Sequence, residues 1–196
     1  SVYMDRALGE RLKNDTLLRG VEIQTEVAVR NDYLETFKAK QPVERVRFYS
    51  SHFTGMDRRM SESGNTWYVP IMFNEEPLYW SLEGNQFDIC CIQVAPMAKY
   101  GNFNFGPTNA DLHGIIKASK KVIVEVNEKM PIALGYESHI NISDVNYIIE
   151  GDSPDIPESL PKDADPEDRR IAEYIVSEIR NGSVLQLGIG AVPNSI

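Results

Sequence analysis

Two cysteines are all that this 196-residue chain carries, and they are adjacent. Cys90 and Cys91 lie inside the apolar run "FDICCIQV". Neighbours in a strand point to opposite faces, so the pair is badly placed for a disulfide. They read as small buried hydrophobes of a reducing compartment. They also lack the two-residue gap of a zinc knuckle. The three histidines, His52, His113 and His139, show no metal-ligand spacing either, so no metal is expected. Long apolar runs are missing: none reaches the roughly 18 residues of a membrane helix. The opening "SVYMDRALGERL" has no apolar signal segment. The expectation is a soluble, cytoplasmic protein with no membrane partner. Positive charge is scarce, with 20 Lys+Arg against 29 Asp+Glu and a net charge of −9. No basic run exists to neutralise a phosphate backbone, which argues against a nucleic-acid partner. An anionic ligand would have to be held by local donors. The nucleophile pattern G-x-S-x-G is absent, and no Ser/His/Asp set stands out.

What is present is ordinary globular composition, 42% hydrophobic and 25% charged, in two alternating kinds of segment. Short runs rich in β-branched residues predict strands at Val46–Tyr49, Ile89–Val94, Lys121–Val126, Val145–Ile149 and Val184–Leu187, with a weaker one at Gly20–Gln24. "ICCIQV", "KVIVEV" and "VLQL" are apolar on both faces, which predicts a sheet covered on both sides and therefore mostly parallel. The clearest helix is "DPEDRRIAEYIVSEIRNG". Asp165 caps it, Pro166 suits its first turn, and Asn181-Gly182 ends it. Ile171, Ile175 and Ile179, joined by Ala172 and Val176, predict one buried stripe. Further helices are predicted over Ala110–Ser119, near Pro77 and over Met4–Leu12. The acidic, proline-containing stretch at about 151–166 reads as an exposed connection.

In "LGIGAVP" two glycines follow the last predicted strand directly. Glycine lets a ligand approach the main chain, and a strand followed by a glycine-rich turn and a helix start holds a phosphate or carboxylate oxygen. The carboxyl end of a strand is also where open α/β sheets bind ligands. The turn is no dinucleotide fingerprint, because Pro193 stands where a third glycine is needed, and no Gly-Lys-Ser/Thr makes it a P-loop. A plain βα turn with no ligand remains the alternative.

Longer stretches resemble one family. "QVAPMAKYGNFNFGP" (Gln93–Pro107), "VIVEVNEKMP" (Val122–Pro131), "HINISDVNYIIEGDSP" (His139–Pro154) and "LQLGIGAVPNSI" (Leu185–Ile196) come in this order, supported by "HFTGMDRR" (His52–Arg59) and "YVPIMFNEEPLYW" (Tyr68–Trp80). Together they resemble the N-terminal half of the acetyl-CoA hydrolase/transferase family. The wording is most similar to the butyryl-CoA:acetate CoA-transferases, with the 4-hydroxybutyrate CoA-transferases next. The resemblance covers residues 1–196 and implies an α/β fold of CoA-transferase type: an open, mostly parallel sheet with helices on both faces, in three layers. It implies ping-pong catalysis on acyl-CoA and a short carboxylic acid. A glutamate attacks the thioester, a glutamyl-CoA thioester forms, and backbone N–H groups steady the oxyanion. It also implies that the first strand, the glutamate motif expected beyond Ile196 and a C-terminal half lie outside these residues. The expected state is therefore a domain fragment, inactive by itself and prone to form homo-oligomers through bare apolar surface.

The resemblance places Gly188, Ile189, Gly190, Ala191 and Val192 at the CoA-contacting turn. Asn127 is a candidate for lining the pocket, against the reading in which it caps the turn "NEKMP". Phe105 and Gly106, with Phe103, are candidates for a wall near the acyl group, against plain packing under a loop. Glu125 ends the "VIVEV" strand, where a buried carboxylate could be tuned, but the family places its nucleophile elsewhere. The leading reading is an acyl-CoA:carboxylate CoA-transferase. The alternatives are an acyl-CoA hydrolase of the same family and a non-catalytic CoA-binding or packing domain.

Overall fold

The computed structural model describes residues 2–25, 35–38, 41–158 and 163–196. The chain divides into two units, Ser1–Ile156 and Pro157–Ile196. The division falls inside the acidic connection, of which residues 159–162 lie outside the described residues.

In the first unit α1 (Val2–Asn14) leads into β1 (Val21–Thr25), followed by α2 (Glu35–Lys38), β2 (Val46–Ser50), α3 (Gly55–Ser61) and β3 (Thr66–Tyr68). These strands form a parallel sheet in the order β1-β2-β3. The alternation of Val46, Phe48 and Ser50 turns one face of β2 inward. There Val46 and Phe48 pack with Leu12 of α1 and with Met56 and Met60 of α3.

The chain continues through α4 (Glu76–Ser81), β4 (Phe87–Val94), β5 (Asn102–Asn104), α5 (Leu112–Lys117), β6 (Ser119–Val126), β7 (His139–Asn141) and β8 (Tyr147–Glu150). A second parallel sheet has the order β4-β6-β8, and β5 pairs antiparallel with β7. Cys90, Ile92 and Val94 of β4 and Val122 and Val124 of β6 bury one face against Phe103, Phe105 and Ile140, with α5 packed on it. The opposite face is only partly covered. Ile89 is 51% exposed, Cys91 and Ile123 are half-buried, and Tyr147 is exposed. The mostly parallel α/β arrangement is therefore observed, as two parallel sheets and one antiparallel pair. Both-face burial of the second sheet is not. Burial pushes the Cys90 thiol up to about 12, with Cys91 beside it adding to the shift.

The second unit contains α6 (Pro166–Glu178) and α7 (Ala191–Ser195). Asp165 caps α6 as expected, accepting the Asp168 N–H at 2.8 Å. The predicted buried stripe is not found: Ala172 is buried, but Ile171, Ile175 and Val176 are exposed and Ile179 is half-buried. Val184–Leu187 also departs from its prediction. It pairs with no strand among the described residues, and Val184 is 98% exposed. An apolar extended run becomes a strand only when a neighbour accepts its N–H and C=O groups, and a helix buries its stripe only against a second layer. Among the described residues no helix is long and apolar enough to cross a membrane.

Candidate functional site

The carboxyl end of the β4-β6-β8 sheet carries Glu125 and Asn127, two of the residues singled out from the sequence. Parallel pairing sets Gln93 beside Glu125, and the two side chains meet: Gln93 donates through Nε2 to Glu125 Oε1 at 3.0 Å. The other oxygen, Oε2, accepts the Tyr3 backbone N–H of α1 at 2.9 Å. Glu125 is 1% exposed, and a Cβ on Gly151 would stand 3.2 Å from its Oε1. The carboxylate thus ties β4, the first turn of α1 and the chain after β8 to β6. A group engaged this way is poorly placed to attack a thioester.

Asn127 is fully buried. Its Oδ1 accepts the Lys129 N–H at 2.9 Å, and its Nδ2 donates to the Pro154 carbonyl at 2.9 Å. The side chain caps the turn after β6 and holds the chain that leaves β8. Phe105 is also fully buried, within the core and edge-on to the His113 ring at 5.4 Å. Gly106 has φ +64, and a Cβ there would come within 2.4 Å of Met130 Sδ. Its N–H donates to Asn104 Oδ1 at 2.8 Å. Asn127, Phe105 and Gly106 therefore fix the backbone at this end of the sheet.

One feature beyond β4 escaped the sequence reading. The chain leaves Val94 and turns back at Tyr100-Gly101 into β5, closed by Ala98 N–H to the Asn102 carbonyl at 2.7 Å. Tyr100 has φ 66 and ψ 18, a left-handed conformation that a bulky residue seldom adopts. It is 80% exposed. Lys99 Nζ stands 4.9 Å from the centre of the Tyr100 ring. Tyrosine in place of the Asn or Gly usual in such a turn is the available sequence signal.

Buried polar groups elsewhere have structural settings. Trp80 donates through Nε1 to Asp111 Oδ2. Asp111 and Glu76 are each 3% exposed, with one carboxylate oxygen unpartnered. Desolvation pushes the Asp111 carboxyl above the ordinary aspartate range, opposed by a backbone hydrogen bond. Among the described residues no group of three or more His, Cys, Asp or Glu is arranged to hold a metal.

The second unit carries the glycine turn. Gly190 has φ 135, which needs glycine, and a Cβ there would lie 3.9 Å from Pro193 Cδ, so the requirement is conformational and not steric. Ile189 is fully exposed. The Asn194 N–H donates to the Gly190 carbonyl at 3.0 Å, which starts α7. Among the described residues, the N–H groups of Gly188 through Val192 donate to no acceptor. The turn therefore offers a short run of unused donors on an exposed main chain.

Comparison with known proteins places these features in a wider setting. A model described as the acetyl-CoA hydrolase/transferase N-terminal domain matches residues 1–157. The chain is 36% identical over 195 residues to a butyryl-CoA:acetate CoA-transferase of Anaerostipes caccae, covering 98% of this chain and 43% of that protein. It is 35% identical over 187 residues to a 4-hydroxybutyrate coenzyme A transferase of Clostridium kluyveri, covering 94% and 42%. The crystal structure of RipA from Yersinia pestis matches with a TM-score of 0.85 at 26% identity, over 99% of this chain and 46% of that one. A 4-hydroxybutyrate CoA-transferase structure from Porphyromonas gingivalis shares the fold, with a TM-score of 0.72 at 24% identity over 96% and 49%. The chain spans less than half the length of each of these proteins.

Proposed function

This chain belongs to the acetyl-CoA hydrolase/transferase family, and we propose that it forms the N-terminal part of an acyl-CoA:carboxylate CoA-transferase in which the Gly188–Val192 turn receives CoA. The observation that supports this reading is the set of main-chain N–H groups from Gly188 to Val192, without acceptors among the described residues and exposed over Gly188 to Gly190. Such donors suit the oxygens of an acyl-CoA and the oxyanion that forms when its thioester carbonyl is attacked. The names of the relatives, a butyryl-CoA:acetate and a 4-hydroxybutyrate CoA-transferase, support a short carboxylic acid as the second substrate.

In this reading the attacking carboxylate is a glutamate outside residues 1–196. It displaces CoA thiolate from the acyl group and forms an anhydride. The thiolate then adds to the glutamyl carbonyl and releases the first acid. A second acid runs the same steps in reverse and leaves with CoA. Splitting one exchange between poor partners into two acyl transfers is the advantage of a covalent nucleophile. Glu125 has a different part: its carboxylate is spent on Tyr3 and Gln93, at the end of the strand that carries Asn127. The test is an acyl-CoA assay on the protein at the full length of its relatives. Added acetate is expected to raise the rate of CoA exchange. Release of free acid and CoA at a rate indifferent to acetate would assign the protein to hydrolysis instead.

A further inference from the structure

The hairpin tip between β4 and β5 is built against the preference of its own sequence. Tyr100 and Gly101 both have positive φ, 66 and 79. The turn runs from Ala98 to Gly101 with Lys99 and Tyr100 as its central residues, and the positive φ at its second central position favours Gly or Asn, because a Cβ at positive φ crowds the following carbonyl. Here that position is an aromatic residue, and the surroundings hold it in place. Asn141 donates through Nδ2 to the Tyr100 carbonyl at 2.9 Å. The Gly101 N–H donates to the Ala98 carbonyl at 3.2 Å. A Cβ on Gly101 would come within 2.8 Å of Ile142, so the turn is clamped against the short segment before β8.

Strain of this kind persists where the neighbouring structure over-determines it, and it gathers at ligand sites. The side chain gains no packing in return, being 80% exposed. The Lys99 ammonium stands 4.9 Å from the ring centre and pairs with no carboxylate among the described residues. The tip is also at the ligand-binding end of the sheet. Tyr100 follows Val94 by six residues in sequence, on the carboxyl side of β4, where parallel α/β sheets take their ligands.

An exposed aromatic ring with a cation over one of its faces suits a planar base carrying a phosphate, the base on the ring's other face. We propose that Tyr100 and Lys99 form a binding platform for the phosphorylated adenosine end of CoA, the ring stacking on the adenine and the ammonium meeting a phosphate. This rests on the reading of the chain as part of a CoA-handling protein, and it adds a site within the first unit for the adenosine end of CoA.

The probe is adenosine 3′,5′-bisphosphate, which carries the base and phosphates without the pantetheine arm, titrated into the full chain by calorimetry alongside CoA. Loss of a stacked base is expected to weaken binding on the order of tenfold in Tyr100→Ala, while Tyr100→Phe stays close to the parent. Lys99→Ala should weaken binding and flatten its dependence on salt. Tyr100→Asn separates binding from folding. It restores a residue that the turn prefers, so its melting temperature should equal or exceed the parent's while the bisphosphate affinity still falls. Equal affinity in parent and Tyr100→Asn overturns the platform, as does a parent that binds no bisphosphate. If CoA still perturbs the Gly188–Val192 amides in that case, the wider reading stands and only the platform is lost. If CoA perturbs neither region, both are lost.

Discussion

Glu125 shows how one buried residue holds several elements. Its two oxygens accept from Gln93 and from the Tyr3 backbone. Truncation would remove a side chain that is 1% exposed and leave two part-buried donors without their acceptor. Because a donor that loses its partner costs part of its desolvation, Glu125→Ala should lower unfolding stability by about 1–2 kcal/mol in urea titrations. A loss of under about half a kcal/mol would show that the network is not structural. Asp111 gives a pH dependence of opposite sign to a salt-bridged carboxylate. Burial raises its pKa in the fold, so the native state holds its proton over a range where the unfolded chain has released it. Its contribution to stability therefore falls as pH rises above the ordinary aspartate value of about 3.9. In Asp111→Asn this fall should vanish. The stability of the parent relative to the variant should decline over that range, and a pH-independent difference would contradict the assignment.

Helix α3 shows what an element can reveal. Thr54 caps it: its Oγ1 accepts the Asp57 N–H at 3.4 Å, and the Asp57 carboxylate accepts the Thr54 N–H at 2.7 Å. Thr54→Ala should cost about 1 kcal/mol, measured by thermal unfolding. The pattern T-x-x-D was legible in "HFTGMDRR" as a helix start, yet the helix was not predicted because its seven residues show too little apolar period. The strands β2, β4 and β6 were legible for the opposite reason: each alternates or runs apolar long enough to declare itself. The three-residue strands β3, β5 and β7 carry almost no such signal and exist through their pairing. Val184–Leu187 shows the reverse error. Its composition is that of a strand, but composition does not supply a neighbour. At the site, the freedom required at Gly190 could be read from residue type. The left-handed Tyr100 could not, because side chains and neighbours far along the sequence, Asn141 and Ile142, impose it.

At the scale of the whole molecule, the family and its mixed α/β fold are fixed by a model match over residues 1–157 and by curated relatives at 36% and 35% identity. The chain spans about 43% of the length of the first of these. Its second unit leaves Ile171, Ile175, Val176, Val184, Leu185 and Leu187 exposed, each at 40% or more. Apolar surface in that amount favours association. Light scattering of the isolated chain should show dimers or larger species at working concentration, and a monodisperse monomer would count against this. If the amides of the glycine turn receive CoA, adding it should shift the backbone resonances of Gly188 to Val192 saturably and slow hydrogen exchange at those amides. Resonances that stay in place at saturating CoA would show that the turn does not receive it.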